Sequence, residues 1–193
     1  MFENLKKYNI LLASKSPRRR ELLTQLRIPF KVVTLGNISE DYPSDLPALE
    51  VAQYISNKKA DAYHEIIGDD ELLIAADTVV VLDGKIYGKP HNSAEAAQML
   101  RELSGKTHQV ASGVTILTRQ KRTSFTTVTD VKFAELTDED IHYYIENYAP
   151  FDKAGAYGIQ EWIGCVAVES IRGSYYNVMG LPVHRLYQEL RFF

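Results

Sequence analysis

LLIAADTVVVLDGKIYGKP, residues 72–90, opens with a run, 72–82, that is apolar on both sides of an extended chain except at Asp77 and Thr78. A strand without a wet face is a strand largely buried in a sheet, so this run predicts a central one. Asp83-Gly84 supplies the primed two-residue turn of a hairpin. The returning strand ends at Gly88-Lys89-Pro90, a topology that can bring Lys89 back toward Asp77. A carboxylate inside such a strand loses hydration unless a cation or hydrogen bonds compensate it. Two roles fit Asp77: a structural carboxylate accepting from neighbouring amides, or a general base or metal ligand at the mouth of a cleft.

Upstream, residues 9–13 predict a short buried strand, followed by Ser16-Pro17, a hydroxyl cap and a proline at the first helical position. Leu22, Leu23 and Leu26 give that helix its core face. Arg18 and Arg19 sit in its first turn, where the backbone already presents unpaired N–H groups and partial positive charge. Either they solvate a surface turn, or an anion occupies the same spot and serine hydroxyls, amides and guanidinium forks converge on it. Residues 30–35 predict a second strand, and GNISEDYPSDLP (36–47) an exposed loop carrying Glu40 and Asp41. An apolar stripe through Leu49, Ala52, Ile55 and Ala62 predicts a helix over 46–66. Of its adjacent Lys58 and Lys59, only one can readily point into a cleft.

Downstream, Asn92 or Ser93 caps a helix to about 103, stopped by Gly105. Residues 107–118 and 123–133 are extended, and Thr137 with Asp140 forms a capping box for a helix through 146. APFDKAGAYGIQ (149–160) sets Asp152-Lys153 and two glycines ahead of Gln160, as in a loop passing close to a ligand; the acid and base also read as an ordinary ion pair. Tyr175 to Asn177 reads as a turn, its tyrosines as packing groups, before a helix opened by Pro182 and anchored by Val183, Leu186 and Leu190. The order is mixed α/β, with strands supplied by hairpins as well as helical crossovers.

At 193 residues and 45% hydrophobic, the chain can fold as one unit spanning 1–193, with one sizeable core or two closely packed lobes. A formal charge of -3 gives no general basic field, which argues against coating a nucleic acid polymer and makes anion binding a matter of local clusters. The lone Cys165 allows no internal disulfide and reads as buried packing in a reducing compartment. The N-terminal apolar run is too short for a signal peptide and no stretch approaches a membrane span, so a cytoplasmic setting without a membrane partner is expected. No phosphate-binding P-loop, dinucleotide fingerprint, zinc-protease motif or nucleophile elbow occurs, and the histidines lack ligand spacing. What remains is Arg, Lys, Asp and Glu, the inventory of phosphoryl chemistry with a hard divalent cation.

LLASKSPRRRELL, ISED, VAQYISNKKA, AADTVVVLDGKIYGKP, TDVKFAELTDEDI, DKAGAYGIQ and GSYYNVMGLP stand in common order and spacing over nearly the whole length. In these stretches the chain resembles the Maf family of nucleotide pyrophosphatases, also called septum formation proteins. The resemblance implies an elongated mixed α/β sheet with flanking helices, two lobes around a nucleotide cleft as in inosine triphosphate pyrophosphatases, and a possible homodimer. It implies hydrolysis of a nucleoside triphosphate between the α and β phosphates with magnesium or manganese. Matching positions would be Ser14, Arg18, Arg19, Lys59, Lys89 and Gln160 for substrate, Asp77 for catalysis, and Glu40 with Asp77 for the metal; Arg20 has no role. DKAGAYGIQ resembles the branch acting on dTTP and UTP. Action on 7-methyl-GTP or a modified nucleotide, and a non-catalytic nucleotide-binding regulator of cell division, stay open as alternatives.

Overall fold

The computed structural model describes residues 3–36 and 38–193. Its sheet is built around β3 (Glu71–Leu82), which is covered on both faces. β1 (Asn9–Ala13) lies parallel to β3 on one side and to the short β2 (Lys31–Val33) on the other. On the far side of β3 run β5 (Thr107–Leu117), β6 (Arg122–Phe133) and β7 (Val168–Arg172), each antiparallel to its neighbour. β4 (Lys85–Tyr87) returns from β3 as the hairpin arm. Asp83 and Gly84 take φ of 50° and 79°, the doubly left-handed pair of a primed turn, which asparagine, aspartate and glycine tolerate best. Among the described residues the sheet is seven-stranded, in the order β2-β1-β3-β5-β6-β7 with β4 on β3.

Alternation along β3 sends its residues to two different layers. Leu72, Ile74, Ala76, Val80 and Leu82 join the larger core, shared with Leu22 and Leu23 of α1 (Pro17–Gln25), with α3 (Ser93–Leu103), α4 (Asp138–Tyr148), and Leu186 and Leu190 of α7 (Val183–Leu190). Leu73, Ala75, Val79 and Val81 face α2 (Val51–His64). That second layer is two separate clusters: Ala60 and Tyr63 pack on Leu73 and Ala75, while Val51, Ala52 and Ile55 pack on Val79 and Val81. Asp77 falls in the gap between them. α2 comes so close to β5 that a Cβ on Gly113, the register partner of Asp77, would lie 2.3 Å from the Gln53 backbone nitrogen.

Most local signals hold. Ser16 caps α1, with its hydroxyl accepting from the Arg19 amide, and Thr137 with Asp140 forms the capping box of α4. Several expectations need correction. The strand expected over 30–35 pairs only at Lys31–Val33, and the helix expected over 46–66 is Val51–His64, preceded by a single 3-10 turn, Ala48–Glu50. The turn expected at Tyr175 is the first turn of a helix, α6 (Tyr175–Met179), capped by Ser174. Cys165, in α5 (Trp162–Ala167), is exposed: this short helix turns Ile163 and Ala167 inward and leaves Cys165 on the solvent side. Among the described residues no helix is long and apolar enough to cross a membrane.

Candidate active site

Ser14, Arg18, Arg19, Glu40, Lys59, Asp77, Lys89 and Gln160 all line one open cleft of about 400 Å³. They come from five regions far apart in sequence, and the sheet is what gathers them. β1 ends at Ala13, so Ser14 and the start of α1 follow directly at its C-terminal edge, beside β3.

Arg19 is held on three sides. Its Nε donates to the Gly180 carbonyl at 2.8 Å, Nη2 to the Thr78 hydroxyl at 3.0 Å and Nη1 to the Ser14 hydroxyl at 3.3 Å. Thr78 in turn shares a hydrogen bond of 2.9 Å with Ser112 on β5. Desolvation lowers the Arg19 pKa, and that outweighs the opposing pull of the Asp77 carboxylate. A guanidinium short of water and fixed by neutral acceptors is prepared for an anion.

Across the strand, Lys59 extends from α2 into the break between the two apolar clusters. Its ammonium lies 2.8 Å from both Asp77 Oδ1 and Glu40 Oε1. Lys59 and Asp77 are each 14% exposed at the side chain, whereas Glu40 is 55% exposed. Desolvation pushes the Glu40 carboxyl up, but the Lys59 hydrogen bond and the charges of Lys59, Lys89 and Arg19 outweigh it and leave the group below its ordinary range. The neighbouring Lys58 turns the other way and donates to the Asp41 carbonyl at 2.8 Å, pinning the loop that carries Glu40. Thus one lysine enters the cleft and the other anchors its wall.

Arg18 grips Asp152 twice, from Nη1 to the carboxylate at 2.7 Å and from Nη2 to the carbonyl at 3.1 Å. Asp152 also pairs with Lys153 at 2.7 Å. Desolvation opposes ionisation there, but the two cations prevail and hold the Asp152 pKa at about 2. Lys89 stands just beyond β4, where the amide of Gly155 bonds to the Gly88 carbonyl at 3.0 Å and ties the 152–161 loop to the hairpin arm. Lys89 and Gln160 are exposed, and among the described residues neither has a hydrogen-bond or ion-pair partner. Such groups are free for a ligand.

Among the charged residues lining the cleft, Arg18, Arg19, Lys59 and Lys89 surround two convergent carboxylates, Glu40 and Asp77. This suits a polyanion whose reaction needs both charge neutralisation and a proton acceptor. Thr78, Lys153 and Gly180 also line it, and sequence reasoning gave them no role. Thr78 carried a signal, being the other polar residue in the apolar run; the parts played by Lys153 and Gly180 depend on long-range contacts.

Comparison with known proteins places these features in context. Residues 9–193 match the family described as Maf-like protein. The chain is 59% identical over 191 residues to the dTTP/UTP pyrophosphatase of Phocaeicola vulgatus, covering 99% of each chain. It is 54% identical over 191 residues to the dTTP/UTP pyrophosphatase of Bacteroides thetaiotaomicron, again covering 99% of each. Among solved structures, a HAM1 protein from Coxiella burnetii aligns with a TM-score of 0.44 at 15% identity, covering 67% of this chain and 74% of the other.

Proposed function

The chain belongs to the Maf-like protein family, and on that premise we propose that it hydrolyses dTTP and UTP between the α and β phosphates, giving dTMP or UMP and pyrophosphate. One observation carries the assignment to this site: all eight residues expected from the resemblance line a single cleft, with the acids facing α2 and the arginines facing the helix-start side of the sheet.

In this reading the triphosphate lies along the start of α1, its oxygens meeting Arg18, Arg19, the Ser14 hydroxyl and, from across the cleft, Lys59 and Lys89. A triphosphate carries about four negative charges near neutral pH, enough to engage all four cations. Asp77 accepts a proton from the attacking water. Its Oδ1 is held by Lys59 at 2.8 Å, leaving Oδ2 as the acceptor. The water oxygen bonds to the α phosphorus as the bond to the bridging α,β oxygen breaks, and that oxygen leaves on pyrophosphate, neutralised by the flanking cations.

Magnesium or manganese fits the donor set. Glu40 and Asp77 each lie 2.8 Å from the Lys59 ammonium, so the two carboxylates stand close enough together that they would hold one ion beside it. Such hard cations take one or two carboxylates and fill their remaining positions with phosphate oxygens and water. Among the described residues no group of three or more His, Cys, Asp or Glu gathers, so substrate would supply much of the coordination. When bound, the ion adds charge neutralisation at the phosphates and acidifies its water ligands. A cytoplasmic setting and a homodimer belong to the same proposal, the first supported by the exposed free thiol of Cys165 and the second by the family resemblance.

The deciding experiment is product analysis with dTTP, UTP, CTP, GTP and 7-methyl-GTP in magnesium or manganese. Pyrophosphate with dTMP and UMP is expected. Orthophosphate release, or turnover of 7-methyl-GTP alone, would contradict the assignment.

A further inference from the structure

A run of polar side chains crosses from α4 to α1 and ends in the cleft. The Gly158 amide donates to the Tyr144 hydroxyl at 2.9 Å, and that hydroxyl donates to Glu161 Oε2. Glu161 Oε1 pairs with the Lys153 ammonium at 3.2 Å, Lys153 with Asp152 Oδ1 at 2.7 Å, and Asp152 Oδ2 with Arg18 Nη1 at 2.7 Å. Phenol, carboxylate, ammonium, carboxylate and guanidinium thus alternate in donor and acceptor character without a break.

This is not an ordinary surface ion pair. The Lys153 side chain is 8% exposed and that of Glu161 20% exposed, so both charges have given up hydration that an exposed pair would keep. The backbone makes room for them: a Cβ on Gly158 would sit 3.0 Å from both Glu161 Cδ and Lys153 Cε. Glu161 also occupies the N-cap position of α5, yet its carboxylate makes no capping bond and is directed into the run instead. Nearby, Gly155 and Ala156 take φ of 68° and 59°, a conformation that an alanine holds only when its surroundings impose it. The Arg18 end is fixed by both the carboxylate and the carbonyl of Asp152, which leaves the remaining N–H donors of the fork for a ligand.

We propose, resting on the pyrophosphatase reading, that Lys153 and Glu161 are positioning residues for nucleotide binding, acting through Asp152 on Arg18. Without the buried pair, Asp152 loses one of its two cationic partners and the Arg18 guanidinium loses the fixed carboxylate that aims it. A long side chain then samples several rotamers, and ordering it falls on the binding step.

The test is a double-mutant cycle. Lys153→Met, Lys153→Arg and Glu161→Gln are made alone and in an Arg18→Met background. The readouts are KM and kcat for dTTP, the calorimetric Kd for a non-hydrolysable α,β-methylene dTTP, and the melting temperature. Lys153→Met is expected to raise KM and Kd about tenfold with kcat within about threefold, the pattern of lost uniform binding. Lys153→Arg should return both to within about threefold, and in the Arg18→Met background Lys153→Met should add less than about twofold. A full penalty persisting without Arg18 would mean that Lys153 touches the ligand itself, and a lowered melting temperature with unchanged KM and Kd would mean a purely structural pair; either overturns the proposal. Should Lys153→Met fail to fold, the near-isosteric Glu161→Gln carries the same cycle. If the wild type binds the analogue but releases no pyrophosphate, the pyrophosphatase reading fails while the Kd cycle still decides the positioning role; if it binds no nucleotide, both fall.

Discussion

Asp77 and Thr78 are consecutive in β3 and serve opposite faces of the sheet: Asp77 Oδ1 meets Lys59 of α2 at 2.8 Å, and Thr78 Oγ1 meets Arg19 of α1 at 3.0 Å. The cleft's central carboxylate and the clamped arginine are thereby set on two sides of one backbone. Because side chains alternate along a strand, a one-residue slip of β3 against β5 would exchange the two faces and dismantle both halves of the site.

Asp77→Asn keeps the shape and removes the carboxylate proposed to accept the proton. We expect kcat for dTTP to fall by about 100- to 10,000-fold with little change in KM, the scale of general-base catalysis. Glu40→Gln should raise the magnesium concentration needed for half-maximal rate while leaving kcat at saturating magnesium far closer to wild type. Steady-state kinetics across a magnesium titration separates the two, and an Asp77→Asn enzyme as active as its parent would remove Asp77 from the mechanism.

Neighbouring arginines should behave differently. Arg19→Lys cannot satisfy Ser14, Thr78 and Gly180 together, so it should destabilise the fold by about 1–2 kcal/mol and lower kcat/KM at least tenfold, to a rough order of magnitude. Arg20 is exposed and only its backbone is engaged, its amide by Ser16 and its carbonyl by Thr24, so Arg20→Ala should leave both within error. Chemical denaturation and kinetics on the two variants make the comparison.

Gly113→Ala places a methyl 2.3 Å from the Gln53 nitrogen and 2.4 Å from the Ala52 carbonyl carbon, both backbone atoms. Overpacking of this kind costs about 3 kcal/mol. As α2 also carries Lys59, activity should fall with stability. A thermal midpoint within about 2 °C of wild type would refute the close approach of helix and sheet, since 1 kcal/mol shifts a protein of this size by about that much or more.

His108 is buried, bonded through Nε2 to the Tyr157 hydroxyl at 2.7 Å and edge-on to Phe133, with Nδ1 unpartnered. Desolvation lowers its pKa from 6.5 to about 4. Above the higher value neither state is protonated and His108 adds no pH dependence. As pH falls from 6.5 toward 4, the unfolded chain takes up a proton that the folded one refuses, so stability drops, by at most about 3 kcal/mol, and levels off below the folded value. Urea unfolding at about pH 7 and about pH 4.5 should show a smaller loss for His108→Gln than for wild type.

The features legible in the sequence are those that short-range chemistry dictates. The Asp83-Gly84 turn, the Ser16 and Thr137 caps and the doubly apolar β3 each depend on residues within a few positions of one another. Asp77, Arg18 and Arg19 stand out by local chemistry and the full set of eight through a resemblance, while their meeting in one cleft follows from a sheet order that no local pattern encodes. Thr78 stands out as polar, yet its bond to Arg19 spans 59 positions, and Asp152-Lys153 reads as a local ion pair although its further partners are Arg18 and Glu161. The burial expected for Cys165 fails because α5 turns Ile163 and Ala167 inward, and composition alone does not say which side of so short a helix faces the core.

The split layer beneath α2 has a mechanical consequence. The helix is fastened near one end by Val51, Ala52 and Ile55 and near the other by Ala60 and Tyr63; between them Ser56 and Asn57 bond to Thr115 on β5, and the Lys59 ammonium reaches acids that a ligand would compete for. An anion entering the cleft would therefore exchange partners with one lysine while the apolar contacts and hydrogen bonds that seat the helix on the sheet stay in place.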